Sequence, residues 1–230
     1  MINTGDTAWM LSATALVLAM VFPGLALFYA GLVRSKNAIA TIMHTFAILC
    51  VVALLWVLFA YSLAFGPDKG GVIGGLDWAG LSGVTGEPNP AHGPTIPHLT
   101  FMLFELMFAA ITTALITGAF AERIRFGALL LFSVLWSILI YCPLAHWLWG
   151  GGWLQQMGAL DYAGGSVVHV SAGMSGLACA MVLGRRKGYG SEYMAPHNLP
   201  FVMLGTGMLW FGWFGFNGGS ALGANAAAAS

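Results

Sequence analysis

The sequence predicts an all-α polytopic membrane protein, and three observations carry the prediction. Of the 230 residues, 59% are hydrophobic and 7% charged, against roughly 25% charged in soluble domains. Six apolar stretches are each long enough to cross a hydrocarbon core about 30 Å thick, which takes about 20 helical residues. The basic residues fall almost entirely between alternate stretches.

The spans are expected at about 9–33, 38–65, 98–120, 127–147, 163–184 and 199–220, and residues 1–230 read as one membrane unit without a soluble domain. The first stretch has no basic leader, runs about 25 residues and ends in Arg34 and Lys36 rather than a cleavage site, so it reads as a span and not a secretory signal. Arg34, Lys36, Arg123, Arg125, Arg185, Arg186 and Lys187 lie in the loops after the first, third and fifth spans. That excess of positive charge marks the cytoplasmic side of a cell membrane, with the N-terminus and the loops at about 66–97 and 148–162 external. Lys69 is the exception, in a Gly/Pro-rich loop that also holds Asp68, Asp77 and Glu87. Within this loop GLDWAGLSG reads as a short interfacial helix or turn.

The third span, HLTFMLFELMFAAITTALITGAF, sets Phe101, Phe104 and Phe108 at helical spacing with Thr112 continuing the face. A stripe of core aromatics is the simpler account. Such a face can also hold a cation within about 6 Å of a ring, worth roughly 0.5–2 kcal/mol. Glu105 stands beside it, and a carboxyl there must be protonated, paired or facing water. The fourth span ends in CPLAHWLWGGGWL, where Trp147, Trp149 and Trp153 suit an interfacial aromatic belt. Asp161, in ALDYAGG, reads as the N-cap of the fifth span, and a carboxylate at an external mouth also favours cations.

In the fifth span, GGSVVHVSAGMSG surrounds His169 with Gly165, Ser166, Ala172, Gly173 and Gly176 at helical spacing. Two accounts balance: close helix packing around a hydrogen-bonded histidine, or a substrate or proton path. A neutral imidazole offers one donor and one acceptor, which suits a protonated amine or ammonium; no second ligand stands at metal-site spacing. The sixth span closes in WFGWFGFNGGSALG, with Trp213, Phe214 and Phe216 ahead of Asn217 and Ser220, polar groups able to orient a small ligand. Cys50, Cys142 and Cys179 sit singly in separate spans, so neither a disulfide framework nor a zinc site is indicated. Few buried groups could serve as acid, base or nucleophile, which argues against an enzyme, and nothing points to a metal, a cofactor or a nucleic-acid partner.

The segments PGLALFYAGLVRSKN (23–37), FAYSLAFG (59–66), ITGAFAERIRF (116–126), HWLWGGGWL (146–154), DYAGGSVVHVSAGMSGL (161–177) and PHNLPFVMLGTGMLWFGWFGFNGGSA (196–221) follow one another along the chain. Together they resemble the ammonium transporter (Amt/Mep/Rh) family, nearest its bacterial Amt branch. The resemblance implies a fold of about eleven spans in two inverted repeats with the pore between them. This chain would hold the first five-helix repeat plus the sixth span, and is expected to be a truncated or partial sequence. The resemblance also implies an external NH4+ recruitment site of Phe108, Trp149 and Ser220, with Phe104 near the same vestibule and Asp161 in support. Phe108 and Phe216 would form a stacked gate, and His169 would be the first of a histidine pair in an apolar pore, the second lying in a later span.

On this reading NH4+ sheds hydration at the aromatic site, loses a proton near the gate and crosses largely as NH3, while potassium, without an N–H to donate, is refused. A homotrimer and a cytoplasmic face open to a PII-type signalling protein are implied as well. The alternative is an ammonium sensor using the same fold to control a partner. Two positions depart from the family: Glu105, where glutamine is common, and Thr113, where proline is frequent. Because its surroundings match, Glu105 reads as a silent polar replacement, the other reading being an added protonatable group beside the vestibule.

Overall fold

A computed structural model describes residues 1–230. It is a bundle of six membrane-length helices: α1 (Thr4–Leu32), α2 (Ser35–Phe65), α3 (His98–Phe120), α4 (Phe126–Gln156), α5 (Gly165–Leu183) and α6 (Leu199–Gly219). All six expected spans are present, and caps explain where the ends move. The Asn3 side chain accepts from the N–H groups of Gly5 at 2.9 Å and Asp6 at 3.1 Å, so α1 begins before its first long apolar run. Asn198 does the same for Phe201 at 3.0 Å, with Pro200 in the first turn of α6. The regular part of α4 ends at Trp149; residues 150–152 turn, and Trp153–Gln156 add a last helical turn.

Four of the helices contain π-helical turns, at Met20–Leu25, Trp56–Ala60, Ser137–Tyr141 and Gly165–Val170. Each such turn inserts a residue and rotates the face that follows. This corrects the small-residue face expected around His169, because the histidine itself lies in a π turn. Ala172 is buried and Gly176 approaches Ala119, where an added Cβ would stand 3.4 Å away, but Gly173 has open space beside it.

Helix α3 is the axis of the bundle: 83% of its apolar window is buried, against 22% in α5 and in α6. Tyr29 donates to the Leu115 carbonyl at 2.7 Å and the Trp56 indole to the Met102 carbonyl at 3.1 Å, tying α1 and α2 to α3 while meeting the polar needs of two large side chains. Helix α6 lies directly on α1. An added Cβ on Gly215 would stand 2.7 Å from the Ala13 carbonyl oxygen, so a small residue is required at the crossing.

On one face of the bundle, residues 66–97 fold into two antiparallel hairpins. β1 (Asp68–Lys69) pairs with β2 (Ile73–Gly74), and β3 (Pro88–Asn89) with β4 (Gly93–Pro97). GLDWAGLSG between them holds a 3-10 turn at Ala79–Leu81. These short strands lie outside the membrane helices and leave the helical fold class unchanged.

On the opposite face the loops after α1, α3 and α5 converge on Glu122. Its carboxylate accepts from Arg34 Nε at 3.1 Å, the Arg34 backbone N–H at 3.0 Å and Asn37 Nδ2 at 2.9 Å, and lies 3.5 Å from Arg186 Nη1. Arg34 Nη1 also reaches Glu192 at 2.7 Å. Burial would raise the Glu122 carboxyl, but the hydrogen bonds from Arg34 and Asn37 prevail and hold its pKa at about 2. Those bonds also stabilise a left-handed backbone, φ 64°, at a residue other than glycine. The basic residues therefore gather on one side, as their alternation between spans predicts.

Candidate functional site

Beneath the hairpins lies a cavity of about 210 Å³ whose wall includes Phe65, Glu105, Phe108, Trp149, Asp161 and Ser220. Each side chain is positioned for a local reason. Asp161 Oδ1 accepts from the N–H groups of Gly164 and Gly165 at 2.8 and 2.7 Å, and Oδ2 from Ser166 and Val167 at 2.8 and 2.9 Å. It thus satisfies the unpaired donors of the first turn of α5, where a negative charge also complements the helix dipole. The chain reaches that turn through Gly164 at φ 89°, where an added Cβ would stand 2.5 Å from Val168 Cγ2. The Asp161 carbonyl accepts the Trp149 indole N–H at 2.6 Å. That bond fixes the indole edge-on to Phe108, with ring centroids 5.9 Å apart and an angle of 82°.

Phe108 and Phe216 stack at 4.2 Å with an interplanar angle of 21°, and both are buried. The rings close the inner side of the cavity between α3 and α6. Phe104 is not on the cavity wall: it packs 4.9 Å from Phe108 and fills the space over Gly219, where an added Cβ would stand 2.5 Å from its ring. It therefore supports the stack from behind. Ser220 Oγ donates to the Phe216 carbonyl at 2.9 Å, which leaves its lone pairs free to accept from a ligand. Asn217, grouped with Ser220 by sequence proximity, is exposed and lines a different depression, with Trp210 and Trp213.

His169 lies beyond the stack, its ring centroid 6.0 Å from Phe216 and stacked on Trp213 at 5.7 Å and 12°. It is exposed within this chain. Thr113, at a position of departure from the family pattern, is accommodated: its hydroxyl lies 3.2 Å from both the Ala109 carbonyl and Ser137 Oγ.

Sequence reasoning missed the part of the wall supplied by the hairpin loop. His92 stacks on Phe101 at 5.3 Å and 12° and places Nε2 2.9 Å from the Phe65 carbonyl, roofing the cavity. Its burial lowers the imidazole pKa and favours the neutral ring. Nothing in a Gly/Pro-rich loop marks this residue; only tertiary packing brings it to the site. At the same face His146 Nε2 lies 2.9 Å from Asp68 Oδ1. The hydrogen bond from His146 is the leading cause holding the Asp68 carboxyl below its ordinary range, so Asp68 keeps a negative charge on the hairpin face, beside a neighbouring depression.

The arrangement suits a small cation: two aromatic faces, a hydroxyl acceptor and two acidic residues, with neither lysine nor arginine on the wall. Fold and site together define a polytopic membrane protein with an aromatic-walled cavity stacked over an intramembrane histidine. The model of the Ammonium Transporter Family matches residues 8–230. An ammonium transporter of Bacillus subtilis is 57% identical over 218 residues, covering 95% of this chain and 53% of the relative. The crystal structure of Candida albicans Mep2 superposes with a TM-score of 0.88 at 38% identity, covering 97% of this chain and 50% of that one. A structure described as a sensor Amt protein superposes with a TM-score of 0.87 at 31% identity, covering 96% and 56%. The chain belongs to the ammonium transporter family and spans about half the length of the relatives it matches.

Proposed function

We propose that these residues form one half of an ammonium/ammonia transport path across a cell membrane. The observation that carries this reading is the succession of contacts from the cavity lined by Phe108, Trp149 and Ser220, through the Phe108–Phe216 stack at 4.2 Å, to His169 at 6.0 Å from Phe216. The hairpin face is external in this reading, and the Glu122 face is cytoplasmic. NH4+ replaces part of its hydration with the Phe108 and Trp149 ring faces and a hydrogen bond to Ser220 Oγ. Asp161 supports the site by fixing Trp149 and the start of α5. The proton is lost near the gate, and neutral NH3 passes the parted rings into an apolar pore where the His169 ring offers a hydrogen bond. Potassium finds the same aromatic faces but carries no proton to give up.

The protein acts as a conduit and not as an enzyme, assembles as a homotrimer in keeping with its family, and exposes the Glu122 face to a PII-type signalling protein. The likeness to a sensor Amt protein supports a second reading, in which the same site reports ammonium to a partner. The test is ammonium flux into liposomes carrying the full-length protein. Replacing His169 with Ala is expected to abolish or sharply alter flux; an unchanged rate and ammonium/potassium selectivity would sink the pore assignment. Ammonium binding without flux in the wild type would favour the sensor.

A further inference from the structure

Among the acidic residues Glu105 alone is buried inside a span, at 8% exposure, and it stands on the cavity wall. Its Oε2 is fully enclosed and meets no hydrogen-bond donor. The titratable groups facing it are Tyr61 of α2, Tyr141 of α4, His92 of the hairpin loop, and Asp161 and Tyr162 ahead of α5; α1 and α6 bring none to the cavity. Most of these are committed elsewhere. Tyr61 Oη lies 2.6 Å from His98 Nε2, His92 Nε2 is held by the Phe65 carbonyl, and Tyr162 donates to the Ala227 carbonyl at 3.1 Å. The Asp161 oxygens are taken by four backbone donors. Tyr141 Oη is itself buried without a partner.

An ionised carboxylate buried with neither a donor nor a counter-ion is strongly disfavoured. Since neither lysine nor arginine reaches the cavity, the carboxyl stays protonated and neutral until a cation from outside the protein supplies the compensating charge. We infer that Glu105 is a second, inner cation site, which pairs with an ammonium ion after it passes the aromatic rim and accepts its proton. The inference rests on the transport reading above.

The step is a proton transfer with no redox change. An N–H bond of NH4+ breaks, its electron pair staying on nitrogen, and an O–H bond forms on the carboxylate, giving NH3 and a neutral carboxylic acid. The acid then needs no counter-ion in its apolar setting, and the NH3 stands next to the Phe108 ring. The carboxyl proton passes to cavity water as the next cation takes its place, so the carboxylate does not stand without a counter-ion. Glutamine at this position could hydrogen-bond the cation but could not accept the proton, so Glu105 would be a working group and not a silent replacement.

The test compares wild type and Glu105→Gln, full length and in liposomes, by ammonium flux across a pH series and by infrared difference spectra, ammonium against potassium. The substitution is expected to lower the apparent ammonium affinity about tenfold at alkaline pH, where the carboxyl proton is readily given up, the loss of one charge-assisted contact. Wild-type affinity should fall toward that of the variant as acid neutralises the carboxylate, whereas the variant should show no such decline. Ammonium should change a carboxyl band in the wild type that is missing in the variant. Equal affinity, equal pH profiles and no wild-type carboxyl band would overturn the assignment while leaving ammonium transport intact. Absence of flux in the wild type would defeat the transport reading instead, and the spectra would still decide whether Glu105 exchanges a proton with bound ammonium.

Discussion

Asp161 shows how one carboxylate both builds and charges a site. Its two oxygens meet four backbone N–H groups, while its own carbonyl sets the Trp149 ring. Asp161→Ala leaves those donors unpaired at the start of α5. It is expected to lower stability by about 1–2 kcal/mol and to weaken ammonium binding by loosening the turn whose backbone carbonyl holds Trp149, checked by thermal unfolding in detergent and by ammonium titration of the same samples. An acidic residue ahead of an apolar run makes the capping legible but not its place: Gly164 is the N-cap, and Asp161 reaches the first-turn donors from three residues ahead of it. The tie to Trp149 is not legible, because it runs through a backbone carbonyl. Nor could the isolation of Glu105 be read from its neighbours in sequence, since a missing partner is a property of everything packed around it.

At the scale of elements, the six helices were readable because apolar length is a direct consequence of bilayer thickness. Their ends and interruptions were not. Asn3 moves the start of α1 earlier, and the π turns arise where backbone register yields to packing, as at Gly165–Val170 around His169. The hairpins of residues 66–97 are two to five residues per strand, too short for an alternating pattern to show. The loop-to-loop junction at Glu122 carries its own expectation. Glu122→Ala removes the acceptor shared by Arg34, Asn37 and Arg186, leaving Arg34 only Glu192, and should be read as a lowered unfolding temperature. The pH dependence follows from the depressed carboxyl: the wild-type contribution is complete above about 4.5, the ordinary carboxyl value, and is lost as pH falls toward about 2. Glu122→Gln should remove that part of the acid sensitivity, and an unaltered acid profile would count against the junction as its source.

At the scale of the molecule, the charge pattern makes a topological prediction. A cysteine replacing Lys69 should react with an impermeant thiol reagent added outside intact cells, and one replacing Lys187 only after the membrane is opened; the reverse pattern would invert the assignment. The most consequential contact, between Phe108 on α3 and Phe216 on α6, joins residues far apart in the chain. Their identities were visible as aromatic positions, but their meeting depends on α6 seating its glycines on α1.

That stack has an electrical consequence. Two rings in van der Waals contact admit no chain of water molecules, so on the proposed path the stack would act as an insulator between the cavity and the His169 side. Charge on one side is capacitively sensed on the other but cannot flow. On the proposed transport reading, any current that accompanies ammonium would have to pass during intervals when the rings are parted, or by a route that goes around them.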